Sequence, residues 1–281
     1  MMLGNLAQPY VISIGPDDSL DKAISLMEEH EIRHLPVIEA GRAVGMVSDR
    51  DVLLAVGWKL EVEREAATDH EVVGPRTVRE IMSSPALYLD PKASPADAAR
   101  MMVEGSFHAL LVIRDSTVLG VVTSTDLLRL FSSYDHELLD GPITERMRAN
   151  VKTIAPGDAL FEASRLFKDS AIHHLPVVAG DQLLGILTDR DLRRACGEDS
   201  VSDELAEHDG QVYFGTTKVL EVMSHEVKTL EESASMRDAC RLMSTHHIGC
   251  VPIVDRDRLV GIVTDTDCLR MATEIERSTN I

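Results

Sequence analysis

An α/β (α+β) fold of four β-α-β-β-α units, packed as two pseudo-symmetric pairs, is the architecture the sequence predicts, and three observations carry it. First, one eighteen-residue phrase recurs four times: HLPVIEAGRAVGMVSDRD from His34, ALLVIRDSTVLGVVTSTD from Ala109, HLPVVAGDQLLGILTDRD from His174 and CVPIVDRDRLVGIVTDTD from Cys250. Recurrence at a fixed spacing is the signature of a repeat architecture. Second, three columns share one set of steps. Pro36, Leu111, Pro176 and Pro252 lie 75, 65 and 76 residues apart, as do Asp51, Asp126, Asp191 and Asp267, and as do Met27, Met102, Phe167 and Met243. Copies one and three stand 140 residues apart and copies two and four 141, so the chain is a duplicated half. Third, the hydrophobic period alternates between strand-like and helix-like in the same order in every copy.

Each unit opens on a short strand-like stretch: VISI, LYL, VKTI and VKTL in turn. A helix follows, its apolar residues at i, i+3, i+4 and i+7: Leu20, Ala23, Ile24 and Met27 in the first unit, Met236, Ala239, Cys240 and Met243 in the fourth. Ser19 and Ser235 stand where a hydroxyl caps a helix start. Two β-rich runs come next, LPVIE and AVGMVS in the first unit, around a turn with Gly or Asp. A second helix begins at the Ser or Thr and continues through DVLLA, DLLRL, DLRRA or DCLRM. The predicted repeats span 1–57, 77–131, 143–197 and 217–273, grouped into halves 1–135 and 140–281. Polar, acidic connections fill 52–80 and 192–221, and Gly57 follows Asp51 by six residues as Gly197 follows Asp191. The link between halves, near 131–146, is about ten residues shorter.

With 44% hydrophobic and 27% charged residues over 281 positions, the chain has the composition of a soluble globular protein. No apolar run approaches the roughly 20 residues that span a bilayer, and MMLGNLAQPYVISIG lacks the basic start and apolar centre of a secretory signal. No membrane partner is expected. Cys196, Cys240, Cys250 and Cys268 form no C-x-x-C pair, so reduced thiols in a cytoplasm are expected. A net charge of −19 argues against nucleic acid as the main partner. It also repels small anions at long range, so a phosphorylated ligand needs a local pocket.

Ser48-Asp49-Arg50-Asp51 and its counterparts Thr123–Asp126, Thr188–Asp191 and Thr264–Asp267 admit two readings. One is a capping box, in which hydroxyl and acid each satisfy an orphan N–H of the helix start. In the other, the aspartate accepts two hydrogen bonds from a ribose diol, beside a helix N-terminus suited to anions. The roles can coexist. A second column precedes the Leu-Pro position: Arg33-His34, His108-Ala109, His173-His174 and Gly249-Cys250. A histidine beside an apolar strand is by itself a packed or surface residue as readily as a ligand contact.

The phrase H-L-P-V-[IV]…G-[MI]-[VL]-[ST]-D-R-D, four times over about four-fifths of the chain, resembles the cystathionine β-synthase (CBS) domain family. The resemblance implies two modules of paired repeats, each with clefts between its repeats, often arranged as a flat disk. It implies a regulatory ligand-sensing protein rather than an enzyme, binding an adenine nucleotide (AMP, ADP or ATP) or S-adenosylmethionine as a regulatory ligand, with no obligatory cofactor. A homodimer and a downstream target protein are the family's habit. Carried over residue by residue, Asp51, Asp126, Asp191 and Asp267 would hold ribose, and Ser48, Thr123, Thr188 and Thr264 ribose or phosphate. The basic pairs would reach phosphates across each cleft: Arg33/His34 facing Thr123/Asp126, His173/His174 facing Thr264/Asp267, and His108 alone facing Ser48/Asp51. Thr188/Asp191 would face Gly249 and Cys250, which carry no charge, so one phosphate-competent cleft per half is expected. Met46, Val121, Ile186 and Ile262 match positions that flank the base, and serve equally as core strand residues. The second repeat departs from the pattern with Ala109 and Leu111 in place of His and Pro. A purely structural or interaction module with vestigial clefts is the alternative. Adjacent His246 and His247 lack a ligand set, so no metal is expected. No Gly-rich phosphate loop, G-x-S-x-G elbow or H-E-x-x-H occurs.

Overall fold

The computed structural model describes residues 1–52, 55, 75–170, 172–195 and 215–279. The acidic connections, with Gly57, Gly197 and Cys196, fall largely or wholly outside the described residues. Each repeat is built on a two-residue hairpin: β1 (His34–Glu39) with β2 (Arg42–Ser48), β4 (Ala109–Arg114) with β5 (Thr117–Thr123), β6 (His174–Ala179) with β7 (Gln182–Thr188), and β9 (Cys250–Asp255) with β10 (Arg258–Thr264). Ala40-Gly41, Asp115-Ser116 and Arg256-Asp257 all take positive φ, which matches the turn to the twist of the strands. LYL and VKTL supply the short parallel strands β3 (Tyr88–Leu89) and β8 (Leu230–Glu231). In repeats 1 and 3 the expected VISI and VKTI strands shrink to single parallel bridges, Ile14 to Val37 and Ile154 to Val177.

The helices follow the predicted order, two per repeat: α1 (Leu20–Glu29) and α2 (from residue 49), α3 (Pro95–Gly105) and α4 (Ser124–Phe131), α5 (Leu160–Ser170) and α6 (Asp189–Ala195), α7 (Met236–His246) and α8 (Asp265–Thr279). Ser19 accepts the Lys22 N–H at 3.2 Å and Ser235 that of Asp238 at 3.2 Å. The apolar stripes face inward: Leu20, Ala23 and Met27 on α1, and Met236, Ala239, Cys240 and Met243 on α7, are buried.

Repeats 1 and 2 exchange edges. The segment leading into repeat 1 pairs with β5 of repeat 2 through Gln8 and Val121, and the segment leading into repeat 2 pairs with β2 of repeat 1 through Ser83 and Met46. Repeats 3 and 4 do the same through Arg148 with Ile262 and Ser224 with Ile186. This exchange explains the glycine of the recurring phrase. A Cβ at Gly45, Gly120 or Gly185 would stand 2.7, 2.6 or 2.9 Å from a backbone oxygen of the crossing segment, and one at Gly261 would stand 2.4 Å from the Met147 sulfur. Only a residue without a side chain admits a neighbouring backbone so closely.

The two halves then join helix to helix. One core runs through repeats 2 and 4, with Leu110, Leu127, Leu128, Phe131, Met243 and Ile275 among its buried side chains. Burying each such side chain contributes about 1.5–3 kcal/mol. Repeats 1 and 3 keep separate, smaller cores around Leu35 and Val47, and around Leu175 and Leu187. Strand β10 also touches β7 through Arg258 and Gln182, joining four long strands and β8 into one sheet. Cys240, Cys250 and Cys268 are free thiols buried as small apolar groups. Among the described residues no helix is long and apolar enough to cross a membrane.

Candidate functional site

All four Ser/Thr-x-x-Asp phrases sit at the step from second strand to second helix. There the aspartate Oδ2 accepts the cap backbone N–H at 2.8, 2.9, 2.8 and 2.9 Å for Asp51, Asp126, Asp191 and Asp267. It also accepts the cap hydroxyl at 2.6, 2.7, 2.7 and 2.7 Å, in the same order. Capping therefore takes one carboxylate oxygen. The other is what distinguishes the four. Among the described residues, Oδ1 of Asp51 and of Asp191 receives no hydrogen bond, and Oδ1 of Asp126 has a single long contact, Gln8 Nε2 at 3.4 Å. Asp267 differs: Arg148 Nη2 donates to its Oδ1 at 3.1 Å, Arg270 stands 3.6 Å away, and the side chain is 8% exposed.

Gln8 and Arg148 hold equivalent places, since each crosses onto the second strand of the partner repeat. Neither belongs to the recurring phrase or to the basic column. The 140-residue offset of the halves relates the two positions, but nothing local marks either as facing an acid 118 or 119 residues away.

The basic column gathers where the two halves meet. His34, Ala109, His174 and Cys250 lie directly across the ladder from Ser48, Thr123, Thr188 and Thr264 of their own repeats. His173 Nδ1 meets Asp189 Oδ2 at 3.1 Å within repeat 3, whereas His108 Nδ1 meets Asp265 Oδ2 of repeat 4 at 3.0 Å. Ser124 Oγ donates to that same Asp265 oxygen at 3.1 Å, and Arg190 stands 3.6 Å from Asp49 of repeat 1. The ring of His174 packs against Gly249, where an added Cβ would lie 3.0 Å from both Cε1 and Nε2.

The electrostatics follow from this crowding. Burial disfavours the imidazolium of His34 and lowers its pKa to about 3, with Arg33 and His108 adding repulsion. Burial likewise takes His174 down to about 4, although Asp189 and Asp265 pull the other way. Both residues are half-buried, and both imidazoles are neutral near pH 7. Burial also works against a charged His108, but the Asp265 carboxylate outweighs it and the pKa is raised. Asp265 is opposed by its own burial and held down to about 2 by His108, with His174 and Arg33 nearby.

Met46, Val121, Ile186 and Ile262 are the residues whose backbones bond the crossing segments. The first three are half-buried and alternate with the core residues Val47, Val122 and Leu187, while Ile262 is buried. A cavity of 490 Å³ lies elsewhere, lined by Pro95, Phe131, Tyr134, Ala272, Ile275 and Glu276 at the edge of the shared core. His247 ends α7 in the left-handed conformation, and no group of three potential metal ligands occurs among the described residues.

Comparison with known proteins matches all four repeats and the fold. The CBS domain family model matches residues 3–57, 78–133, 143–198 and 219–274. An uncharacterized protein of Methanocaldococcus jannaschii, MJ1225, is 27% identical over 92% of this chain and 94% of its own. Its crystal structure, described as that of a candidate archaeal homolog of g-AMPK, superposes with a TM-score of 0.80 at 24% identity, covering 96% of this chain and 99% of that one. The CBS domain-containing protein YhcV of Bacillus subtilis is 36% identical over 43% of this chain and 78% of its own.

Proposed function

Because the chain belongs to the CBS-domain family, we propose that it is a regulatory protein that senses an adenosine-containing ligand, an adenine nucleotide or S-adenosylmethionine, in clefts between paired repeats. Its role is binding rather than catalysis. The observation that carries this is the divided labour of the cap aspartates: Oδ2 holds the helix start while, among the described residues, Oδ1 of Asp51 and Asp191 receives no hydrogen bond and that of Asp126 only the long Gln8 contact, which leaves them to a ribose diol. The helix N-terminus beside each acid suits an anion; Arg33 brings a positive charge, and the rings of His34, His108, His173 and His174 bring N–H donors. Binding then biases how the halves pack and which target protein, or second copy of the chain, is engaged. Asp126 with Thr123 makes the leading cleft, and Asp267 with Thr264 the occluded one. Occlusion by Arg148 is also what favours the second reading, an interaction module with vestigial clefts, for that site.

A thermal-shift panel of AMP, ADP, ATP, NAD and S-adenosylmethionine tests the choice. A ligand specific to the folded chain adds about 2.7 kcal/mol at a hundredfold excess over its Kd. At least one adenosyl compound is expected to raise Tm. If none does, the interaction-module reading stands instead. Product analysis after long incubation with the same compounds tests the absence of catalysis.

A further inference from the structure

The residues just after the four cap hydroxyls are Asp49, Ser124, Asp189 and Asp265. Each donates its backbone N–H to the carbonyl of the first basic-column residue in its own repeat: Asp49 to Arg33 at 3.0 Å, Ser124 to His108 at 2.9 Å, Asp189 to His173 at 3.3 Å and Asp265 to Gly249 at 2.9 Å. The backbone thus sets an acid position beside a base position in every copy. Repeat 3 fills both and closes its own pair, His173 with Asp189. Repeat 2 keeps the base, His108, and has Ser124 for the acid. Repeat 4 keeps the acid, Asp265, and has Gly249 for the base.

These two incomplete sets complete each other between the halves. His108 and Ser124 both address Asp265 Oδ2, at 3.0 and 3.1 Å. An aspartate at 124 would instead oppose Asp265 carboxylate to carboxylate, and a side chain at 249 would strike His174. Asp265 is 9% exposed and lies among basic groups of repeats 1, 2 and 3. His108 Nδ1 is sealed from solvent, and Asp265 Oδ2, 3.0 Å away, is the group that faces it.

Ser124 directly follows the Thr123 cap and bonds Asp265 Oδ2, so an anion seated at that helix start lies beside the Asp265 carboxylate. Granting the adenosyl-ligand function proposed above, on which this step rests, we infer that Asp265 limits the charge a ligand can bring: its carboxylate stands in the place of a phosphate against His108 and Ser124, so the protein selects adenosyl ligands with one phosphate or none and rejects triphosphates. Each further phosphate sets like charge beside a buried carboxylate. The net charge of −19 works in the same direction from a distance.

The test is calorimetric titration of the full chain and of Asp265→Asn with AMP, ATP and inorganic triphosphate. The wild-type chain is expected to bind AMP about tenfold or more tightly than ATP, and Asp265→Asn to narrow that ratio by about tenfold through tighter ATP binding. Wild-type binding of ATP as tight as that of AMP overturns the inference even if the variant does not fold. So does an unchanged ratio in a folded variant. If the wild-type chain binds no adenosyl compound, the proposed function fails separately. The role of Asp265 then rests on inorganic triphosphate: binding gained in Asp265→Asn upholds it, and no binding to either chain overturns it.

Discussion

The two halves place equivalent residues against equivalent acids and reach different electrostatic states. In the first half a neutral Gln8 stands 3.4 Å from Asp126 Oδ1; in the second a cationic Arg148 holds Asp267 Oδ1 at 3.1 Å. The same parts recur around both: a crossing segment, a glycine beneath it, the cap and the acid. One substitution between duplicated copies thus leaves one carboxylate oxygen nearly free and neutralises the other. Duplication preserved the scaffold, and the crossing residue decides which copy has its second carboxylate oxygen neutralised.

The largest expected effect is on ligand binding. Asp126→Ala is expected to weaken the best ligand of the thermal-shift panel at least about tenfold, the worth of one charge-assisted hydrogen bond, with a much smaller loss for Asp267→Ala. Equal losses by calorimetry, or a greater one for Asp267→Ala, would break the comparison. Next comes stability. Gly120→Ala puts a Cβ 2.6 Å from the Gln8 carbonyl oxygen, a backbone atom that cannot step aside, while Gly261→Ala meets chiefly the flexible Met147 side chain. Denaturant unfolding is expected to show a loss of about 1–3 kcal/mol for the former and less for the latter.

A smaller effect sharpens the contrast. Arg148→Gln makes the second cleft resemble the first and removes a partly exposed ion pair worth up to about 1 kcal/mol. Ligand stoichiometry or affinity at the second cleft should rise several-fold; weaker binding would instead mean that Arg148 serves the ligand. The mildest test is pH. His34 and His174 have pKa values below the ordinary imidazole value of 6.5, so the unfolded chain takes up protons first. Their contribution to stability is whole above pH 6.5 and declines toward about 3 for His34 and about 4 for His174. The raised His108 acts oppositely, stabilising below its unfolded value and fading as pH rises through the folded one. A melting curve that drops between pH 6.5 and 4 is expected, and the drop should persist, reduced, in either single His→Gln variant. A drop abolished by His34→Gln alone would show that the halves titrate unequally.

The sequence by itself determined the repeats, the order of their hairpins and helices, the apolar stripes of α1 and α7, and the column of hydroxyl and acid at each second helix start. All of these depend on residues within a turn of helix or across one hairpin, so periodicity and spacing expose them. The glycine of the recurring phrase was visible as a column, but its cause, a crossing backbone from the partner repeat, was not. Only the tertiary structure decided that Gln8 and Arg148 reach Asp126 and Asp267, and that His108 and Ser124 of repeat 2 share Asp265 of repeat 4. Such contacts join residues more than a hundred positions apart. Partners at that distance are chosen by which backbones exchange edges and which helices share a core, and neither choice leaves a mark on the spacing of neighbouring side chains.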